Sequence, residues 1–340
     1  MKLKNYTVRR CRKDEYDKLI AFLHDYWSAN HVFCRNKKIF EFQHGTAESG
    51  EYDFVIAVHN ESGEIHAVLG YITTTRYNRN DTEVPEAVYG ALWKARDDVK
   101  DKEAGKLGLA VLQYLLKAYP NSDYITLGLS KDSQSIYQAL HFDFGAMNHY
   151  YVANPAINEF FIAGSPEIDD EEDNGEYVIR EVKEVPAGME NRYHPDKNAV
   201  YIENRYLKHP FYHYSLLGVC KKEEPLCLWV TREIEVEGHR CIRIVDMIGD
   251  LEKIENIKGQ VIAYLKERDA EYIDCYNYGI DKRVFLKAGF KEVGKATIIP
   301  NYFEPFEKKN VDIHYAAYAK KPIVVFKGDG DQDRPNLLGI

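Results

Sequence analysis

The chain has 340 residues, of which 45% are hydrophobic and 29% charged, and it contains no apolar run of the roughly 18 residues that a membrane-spanning helix needs. Its formal net charge of −9 repels phosphate backbones at long range, which argues against a nucleic-acid binder with a general basic surface. Six scattered cysteines without a C-x-x-C pair indicate neither a disulfide framework nor a zinc knuckle. We therefore expect a cytoplasmic protein of about two domains.

The first half predicts alternating strands and helices. A short opening strand at 7–11 precedes a segment in which Leu19, Leu23 and Trp27 recur at helical spacing. Two β-rich runs, 53–58 and 64–75, flank the loop HNESG and predict a hairpin. The pattern continues with a strand at 86–95, a helix at 106–119, a strand at 124–130, a short helix at 133–142 and a final strand at 147–153.

The second half repeats this order, which indicates an internal duplication of one α/β unit. Its strands are predicted at 176–182, 216–222, 226–236, 239–248, 272–277, 295–300 and 312–319, with helical segments at 200–209, 254–268 and 282–290. The segment 164–176 begins with Gly, Ser and Pro and continues with an acidic run that cannot pack. We predict a first domain at 1–160, an acidic linker at 161–176, a second domain at 177–325 and a tail at 326–340.

Two matching phrases, SIYQALHF at 135–142 and RVFLKAGF at 283–290, mark the same corner of both halves. With the order of elements, they resemble the GNAT acyltransferase superfamily, which typically has N-x-x-A-x-x-L-Y-x-x-x-G-F there. In that register Ser130 stands at the family's Asn, Tyr137 at its Tyr and His141 at its Gly. The resemblance implies an α/β fold, with a mixed sheet flanked by helices, in two tandem GNAT-like domains that cover nearly the whole chain.

The resemblance also implies that acetyl-CoA or another acyl-CoA lies between two splayed parallel strands, here 86–95 and 124–130. Its pyrophosphate would meet the start of the next helix, where N–H groups and the helix dipole favour an anion. The family's R/Q-x-x-G-x-G/A loop corresponds to 97–112, where Glu103, Lys106 or Leu107 departs from the pattern, depending on the register. The expected cofactor-binding residues are Leu92, Trp93, Gly105, Lys106, Leu107, Gly108 and Ser130.

In the family an amine attacks the thioester directly, and a tyrosine on the last short helix often protonates the leaving thiolate. Tyr137 stands at that position, although a helix-face tyrosine packed under the sheet remains the alternative. The second half has Phe285 there, and carboxylates follow its fourth strand at 247–256, so we expect this half to bind no CoA and to be non-catalytic. His149 is included as a catalytic residue. Other candidates for the base are Glu83, Glu86, Asp97 and Asp98.

The segment 31–44 falls where family members bind the acceptor. His31, Arg35 and His44 are the expected substrate-binding residues there, against the alternative of a solvated connection. The tail places Asp329, Asp331 and Asp333 in the opening pattern of a calcium loop but lacks the glycine and glutamate that such a loop requires. We therefore predict a solvated tail and no metal.

The sequence favours an N-acyltransferase that moves an acetyl or other small acyl group from acyl-CoA to a primary amine of a small molecule. An amino sugar or nucleotide-sugar of surface polysaccharide synthesis is the suggested acceptor. Fem-type peptidyltransferases and N-myristoyltransferases, which are also tandem units of this fold, remain alternatives, as does a non-catalytic binding or scaffold protein. No nucleic-acid partner and no membrane span are expected, and homodimerisation is left open.

Overall fold

The computed structural model describes residues 3–46, 50–78, 84–168, 176–189, 191–222 and 224–335, and for Asp331 it describes only the backbone. The expectations for Glu83, for residues 169–175 of the acidic linker and for the end of the tail fall outside these residues. The division into two domains near the linker stays a prediction.

All predicted strands except the one at 295–300 are present, and the sequence predicts no strand for the short ones at 143–146, 291–292, 302–303, 306–307 and 325–326. In chain order they are β1 (Tyr6–Arg12), β2 (Glu51–His59), β3 (Ile65–Thr73), β4 (Ala87–Ala95), β5 (Asp123–Leu127), β6 (Asp143–Ala146), β7 (Asn148–Ala153), β8 (Tyr177–Val182), β9 (Ser215–Lys221), β10 (Glu224–Val236), β11 (His239–Gly249), β12 (Ala270–Tyr278), β13 (Lys291–Glu292), β14 (Tyr302–Phe303), β15 (Phe306–Glu307), β16 (His314–Tyr318) and β17 (Val325–Phe326). The hairpin predicted around HNESG is formed by β2 and β3.

Six of the described helices lie in segments that the sequence predicts to be helical, whereas the sequence predicts no helix for the three that lie within 31–44 and at 75–78. They are α1 (Tyr16–Tyr26), α2 (Val32–Arg35), α3 (Lys37–His44), α4 (Thr75–Asn78), α5 (Leu107–Ala118), α6 (Lys131–Ala139), α7 (Ala199–Ile202), α8 (Lys258–Glu267) and α9 (Lys282–Ala288). A turn of π-helix, Glu203–Leu207, continues α7, and a 3₁₀ turn, Ala104–Lys106, leads into α5. The strand predicted at 295–300 is wrong, because Ile298 makes only an isolated bridge to Gly164.

The strands form two large mixed sheets, which confirms the expected α/β class. The first sheet has the order β1-β2-β3-β4-β5-β16-β6, and the second has the order β13-β7-β12-β11-β10-β9-β8. The two halves of the chain thus exchange strands: β7 pairs with β12 of the second sheet, and β16 pairs with β5 and β6 of the first.

Hydrophobic clusters cover both faces of the sheets. Helix α5 packs on one face of the first sheet, and α8 and α9 pack on one face of the second. A further cluster joins residues of both sheets, among them Tyr89 and Ile125 from the first and Val230 and Val245 from the second. The two sheets therefore share one buried core. Among the described residues, no helix is both long and apolar enough to cross a membrane.

The C-terminal segment is buried, which corrects the prediction of a solvated tail. Asp329 and Asp333 are 0% and 1% exposed, and β17 adds to the second sheet beside β12. Each carboxylate meets a cation: Asp329 lies 2.7 Å from Nζ of Lys197, and Asp333 lies 2.9 Å from Arg232. Within the part of the chain that the structure describes, no cluster of His, Cys, Asp and Glu is arranged to hold a metal.

Lys197 is the cation on which this burial depends most directly. Its Nζ donates to Asp246 and to Asp329, each at 2.7 Å, and all three side chains are nearly inaccessible. Removing one partner of a buried ion pair leaves an uncompensated charge, at a typical loss of about 3–5 kcal/mol.

Lys197→Met is accordingly expected to lower the free energy of unfolding by about 3–5 kcal/mol at pH 7.5, as measured by denaturant unfolding. Burial already raises the pKa of Asp246 to about 6, so the loss should shrink as pH falls below 6 and Asp246 takes up a proton. Lys208→Met is the control, because Lys208 makes an exposed pair of equal length with Glu203 and should cost less than about 1 kcal/mol. Equal losses in both variants would contradict the prediction.

Candidate active site

The parallel strands β4 and β5 diverge in the middle of the first sheet. They are paired from Ala87 with Asp123 to Gly90 with Thr126. Beyond that point β4 continues to Ala95, whereas β5 ends at Leu127. A gap therefore opens between the two strands on the carboxyl side of Gly90.

A β-bulge in β4 lies at the start of this gap. The pairing of β4 with β3 shifts register between Leu69 and Tyr71, so that β4 has one extra residue around Ala91 and Leu92. A bulge leaves one residue out of the ladder and turns the strand locally. The backbone at the gap is therefore available to hydrogen-bond a molecule that enters it.

A cavity of about 260 Å³ adjoins the bulge. Its lining combines both halves of the chain and the buried tail: Trp27, Ala91, Leu92, Gly128, Tyr212, Arg232, Asn301, Tyr302, Phe303, Glu304, Lys327, Gln332, Asp333 and Arg334. Gln332 ties the tail to the gap, because its side-chain amide donates to the carbonyl of Leu127 at 3.1 Å. The cavity thus lies between the sheets, at the point where β4 and β5 part.

Asp333 is the most strongly held charged group of the cavity. Arg232 donates to both of its carboxylate oxygens, at 2.9 and 3.1 Å, and the hydroxyl of Tyr214 donates to it at 2.7 Å. These contacts, with Arg232 the largest favourable influence, hold the pKa of Asp333 below its usual range despite burial. The Arg232 and Asp333 charges therefore neutralise each other.

Lys327 has no such partner. It is 5% exposed, its Nζ donates to the carbonyl of Gln332 at 3.3 Å, and no described carboxylate lies within 4.0 Å of it. Burial, with nearby Arg243 and Arg232, lowers its pKa to about 7, while Asp333 and Asp274 oppose the shift. The cavity thus contains an amine that changes protonation near neutral pH.

His31 does not line the cavity itself but contacts a residue that does. Its Nε2 is 3.1 Å from the guanidinium of Arg334, which lines the cavity, and its Nδ1 caps α2 by accepting from the backbone of Phe33 at 3.2 Å. Burial and the Arg334 charge lower the pKa of His31 to about 3, so the ring is neutral. The predicted contact of His31 with an acceptor is therefore indirect, through Arg334.

The other two residues predicted to bind the acceptor do not line the cavity. Arg35 is exposed and its guanidinium bonds to Asn30. His44 is fully buried among Phe33, Phe40 and Phe54, with Nδ1 at 3.1 Å from the carbonyl of Tyr71. His44 is therefore packed in the hydrophobic core and is not part of the cavity wall.

Tyr137 is buried next to the gap. Its hydroxyl lies 2.7 Å from the hydroxyl of Tyr124, and its ring packs against Trp93 at a centroid distance of 5.3 Å. A side chain on Gly90 would overlap the Tyr124 hydroxyl, so glycine is needed at the last paired position of β4. Burial raises the pKa of Tyr137 well above 10, and the hydroxyl pair stays protonated at neutral pH.

The predicted phosphate loop enters α5 through the 3₁₀ turn. Gly105 and Lys106 are exposed there, whereas Leu107 is buried in the core. Gly108 lies against Trp93, whose indole Nε1 donates to its carbonyl at 3.1 Å. The Glu103 carboxylate accepts the backbone N–H groups of residues 4 and 5, at 2.9 to 3.1 Å, so it is engaged at the start of β1.

Ser130 and His149 each make a hydrogen bond to another residue of the protein, outside the cavity. The Ser130 hydroxyl caps α6 by accepting from the backbone of Ser133 at 3.3 Å. His149 lies on β7 in the second sheet, stacked on Tyr276, with Nε2 at 2.8 Å from Asp274. His149 is therefore not among the residues that line the cavity.

The remaining base candidates are held near the surface. Asp97 and Asp98 are exposed and pair with Lys94 at 3.4 Å and with Arg96 at 2.9 Å. Glu86 accepts the backbone N–H of Asp196 at 2.7 Å. The described candidates are thus outside the cavity lining.

The second half has a matching divergence, but the chain itself fills it. The parallel pairing of β11 with β12 runs to Ile244 with Cys275, and beyond it β17 pairs with β12 at Asn277. The backbone of Gly328 donates to the carbonyl of Val245, on the β11 side, at 2.7 Å. Residues 325–328 therefore occupy the space that is open in the first half.

Sequence reasoning missed Arg232, Glu304, Lys327 and Arg334, which supply charged groups to the cavity. Three of them lie after residue 300, and Arg232 lies on a strand of the second half. A lysine next to an aspartate-rich segment resembles a solvated tail. The one usable signal was the apolar run PIVVF (322–326) directly before Lys327, which predicts burial.

Comparison with known proteins agrees with this architecture. No protein-family model and no curated protein sequence matches the chain. Among solved structures, an Anabaena variabilis GCN5-related N-acetyltransferase is similar, with a TM-score of 0.51 and 10% identity over 91% of this chain and 72% of that one. A Pyrococcus horikoshii protein, provisionally described as an acetyltransferase, has a TM-score of 0.51 and 12% identity over 95% and 92%.

The chain therefore has the GNAT fold, as its two matching phrases and its order of elements predict. At these identities the similarity concerns the fold. The function has to be argued from the gap and the cavity themselves.

Because Lys327 is buried without a carboxylate partner, we expect Lys327→Met to raise the free energy of unfolding at pH 7. An unfolded lysine is protonated up to about pH 10.4, whereas the folded one has a pKa of about 7. The folded state of the wild type is therefore penalised at and below neutral pH, and the penalty falls as pH rises from 7 to 10.

The measurement is denaturant unfolding of both proteins between pH 7 and pH 10. The gain in Lys327→Met should be largest near pH 7 and should shrink towards pH 10. Lys320→Met, at an exposed lysine, should show no such trend. A variant that is less stable than the wild type at pH 7 would show that Lys327 is paired in the folded protein.

Proposed function

We propose that the protein is an acyl-CoA-dependent N-acyltransferase that moves a small acyl group, such as acetyl, onto a primary amine. The observation that carries this proposal is the divergence of β4 from β5 directly beside a polar cavity. A donor held along β4 would present its acyl group to an acceptor in the cavity. Holding two reactants in this way supplies much of the catalysis in an acyl transfer between them.

The residues of the first half fit such a donor. The bulged backbone around Ala91 and Leu92 would hydrogen-bond it as an added strand does. The exposed Gly105 and Lys106, directly before α5, would meet its phosphates, where the helix N-terminus favours an anion. Acyl-CoA supplies a thioester, which is an activated acyl group.

Tyr137 and Tyr124 would act on the sulfur that leaves. The amine nitrogen bonds to the carbonyl carbon, the carbon–sulfur bond breaks, and negative charge develops on the sulfur. Because the pKa of Tyr137 is raised well above 10, its hydroxyl retains its proton and stabilises this charge as a hydrogen-bond donor. This refines the expected role of Tyr137 from proton transfer to hydrogen bonding.

Glu304 is the carboxylate placed to hold the acceptor amine. It lines the cavity, and its oxygens lie 3.3 and 3.4 Å from the hydroxyl of Tyr212. A carboxylate at this position attracts an ammonium group and accepts the proton that the amine loses on acylation. Asp333 is less suited, because Arg232 and Tyr214 already engage both of its oxygens.

The second half would support this site without a reaction of its own. Its gap is filled by residues 325–328, and Phe285, at the position of Tyr137, stacks on Tyr150 at 4.2 Å. Its contribution to the reaction is the wall of the cavity, through Tyr212, Arg232 and the segment Asn301–Glu304.

The volume of the cavity limits the size of the acceptor that it can hold. Pockets for drug-sized ligands have volumes of about 300–1,000 Å³, and this one measures about 260 Å³. An acceptor of the size of a monosaccharide or an amino acid fits better than a nucleotide-sugar or an aminoacyl-tRNA. The amino-sugar acceptor and the cytoplasmic location remain predictions.

Titration with acetyl-CoA tests donor binding, with tryptophan fluorescence as the readout. The chain has three tryptophans, and Trp93 lies beside the gap while Trp229 lies in the core of the second half. We expect a saturable fluorescence change that Trp93→Phe reduces strongly and Trp229→Phe retains. If calorimetry detects no binding at millimolar acetyl-CoA, the proposed use of a CoA donor is wrong.

Tyr137→Phe tests the proposed role of the hydroxyl. Loss of one donor to a developing negative charge should lower kcat about 10- to 1,000-fold and change the KM for acetyl-CoA little. Tyr150→Phe is the matched control, because it removes another buried tyrosine hydroxyl, in the second sheet, without touching the gap. An unchanged kcat in Tyr137→Phe would remove Tyr137 from the mechanism.

A further inference from the structure

The charges that line the cavity are unequal, and Lys327 accounts for the imbalance. The lining contains the cations Arg232, Lys327 and Arg334 and the anions Glu304 and Asp333. Arg232 is matched by Asp333 at 2.9 Å. Lys327 is matched by no described carboxylate within 4.0 Å, and its Nζ donates to the backbone carbonyl of Gln332.

The surroundings of Lys327 reinforce this excess of positive charge. Arg243 lies close enough to depress its pKa, and so does Arg232. Arg243 is itself engaged by Asp274, at 2.6 Å, with both side chains fully buried. Asp333 and Asp274 are therefore already paired with arginines, and Lys327 is left to an anion from outside.

A buried ammonium without a partner is costly, and a chain that keeps one usually uses it. An anion that enters the cavity would complete the missing pair and favour the protonated lysine. Such a charge-assisted hydrogen bond is stronger than one between neutral groups. Glu304, on the same cavity wall, would at the same time hold the amine of the acceptor.

We propose that the acceptor carries an anionic group, a carboxylate or a phosphate, together with its amine, and that Lys327 binds this group inside the cavity. The inference rests on the proposed N-acyltransferase function and deepens it. The carboxylate of a free amino acid and the phosphate of an amino-sugar phosphate are the two sources whose size suits the cavity.

Paired acceptors test the inference in steady-state assays with saturating acetyl-CoA. One set compares L-amino acids, including phenylalanine because of the aromatic lining, with their neutral carboxamides. The other compares glucosamine 6-phosphate with glucosamine. In one set, the anionic member should have a kcat/KM about 10- to 100-fold higher than the neutral member, mainly through KM. Which set shows the preference identifies the source of the anion.

Lys327→Met should bring this ratio close to one, mainly by raising the KM for the anionic member. Lys320→Met, at a lysine outside the cavity, should keep the wild-type ratio. Two outcomes would overturn the inference: neutral acceptors used as well as anionic ones by the wild type, or an equal fall of kcat for both members in Lys327→Met. The second outcome would indicate that Lys327 serves as a base.

A binding experiment separates failure of this inference from failure of the proposed function. Calorimetry measures the affinity for N-acetyl-L-phenylalanine and N-acetylglucosamine 6-phosphate, in the presence of CoA, and for their neutral counterparts. Binding of an anionic probe that weakens at least tenfold in Lys327→Met supports the anion site even if no acyl transfer occurs. Affinity that is unaffected by Lys327→Met, or no binding of either anionic probe, argues against it.

Discussion

The reciprocal exchange of two strands is the constraint on which the rest of the structure depends. Strand β7 leaves the first half to pair with β12, and β16 returns from the second half to lie between β5 and β6. Each sheet is therefore completed by the other half of the chain, so the two halves cannot separate without breaking the ladders that β7 and β16 form. This arrangement brings the gap between β4 and β5 to face residues of the second half, and a cavity forms between them.

The segment after β16 contacts both places where parallel strands diverge. Residues 325–328 fill the divergence of β11 and β12, and Gln332 to Arg334 line the cavity at the divergence of β4 and β5. Burying its charges requires compensation, which Lys197 and Arg232 provide. Replacing buried ion pairs by apolar groups often stabilises proteins. Lys327, which has no such carboxylate partner, is the cation of this segment that we propose to bind a ligand.

Much of the fold could be predicted because its signals are local. The helical spacing in 106–119 and the alternation around HNESG depend on neighbours within a few residues, and the structure confirms both elements. The difference between Tyr137 and Phe285 was equally readable as a difference between the two halves. The prediction of a solvated tail was wrong, because the partners of Asp329 and Asp333 lie 132 and 101 residues away in the sequence. A local sequence pattern does not show whether an aspartate is paired with a cation from a distant part of the chain.

The same distinction between local and long-range contacts applies to the candidate site. The sequence by itself determined the α/β class, the duplicated order of elements and the corner at which Tyr137 lies, because periodicity and short motifs act over a few residues. Only the tertiary structure decided that β7 and β16 exchange sheets, that the tail fills one gap and lines the other, and that His44 and His149 are held away from the cavity. Those outcomes depend on contacts between residues far apart in the chain, where pairing of buried charges and shared burial of apolar surface select the arrangement.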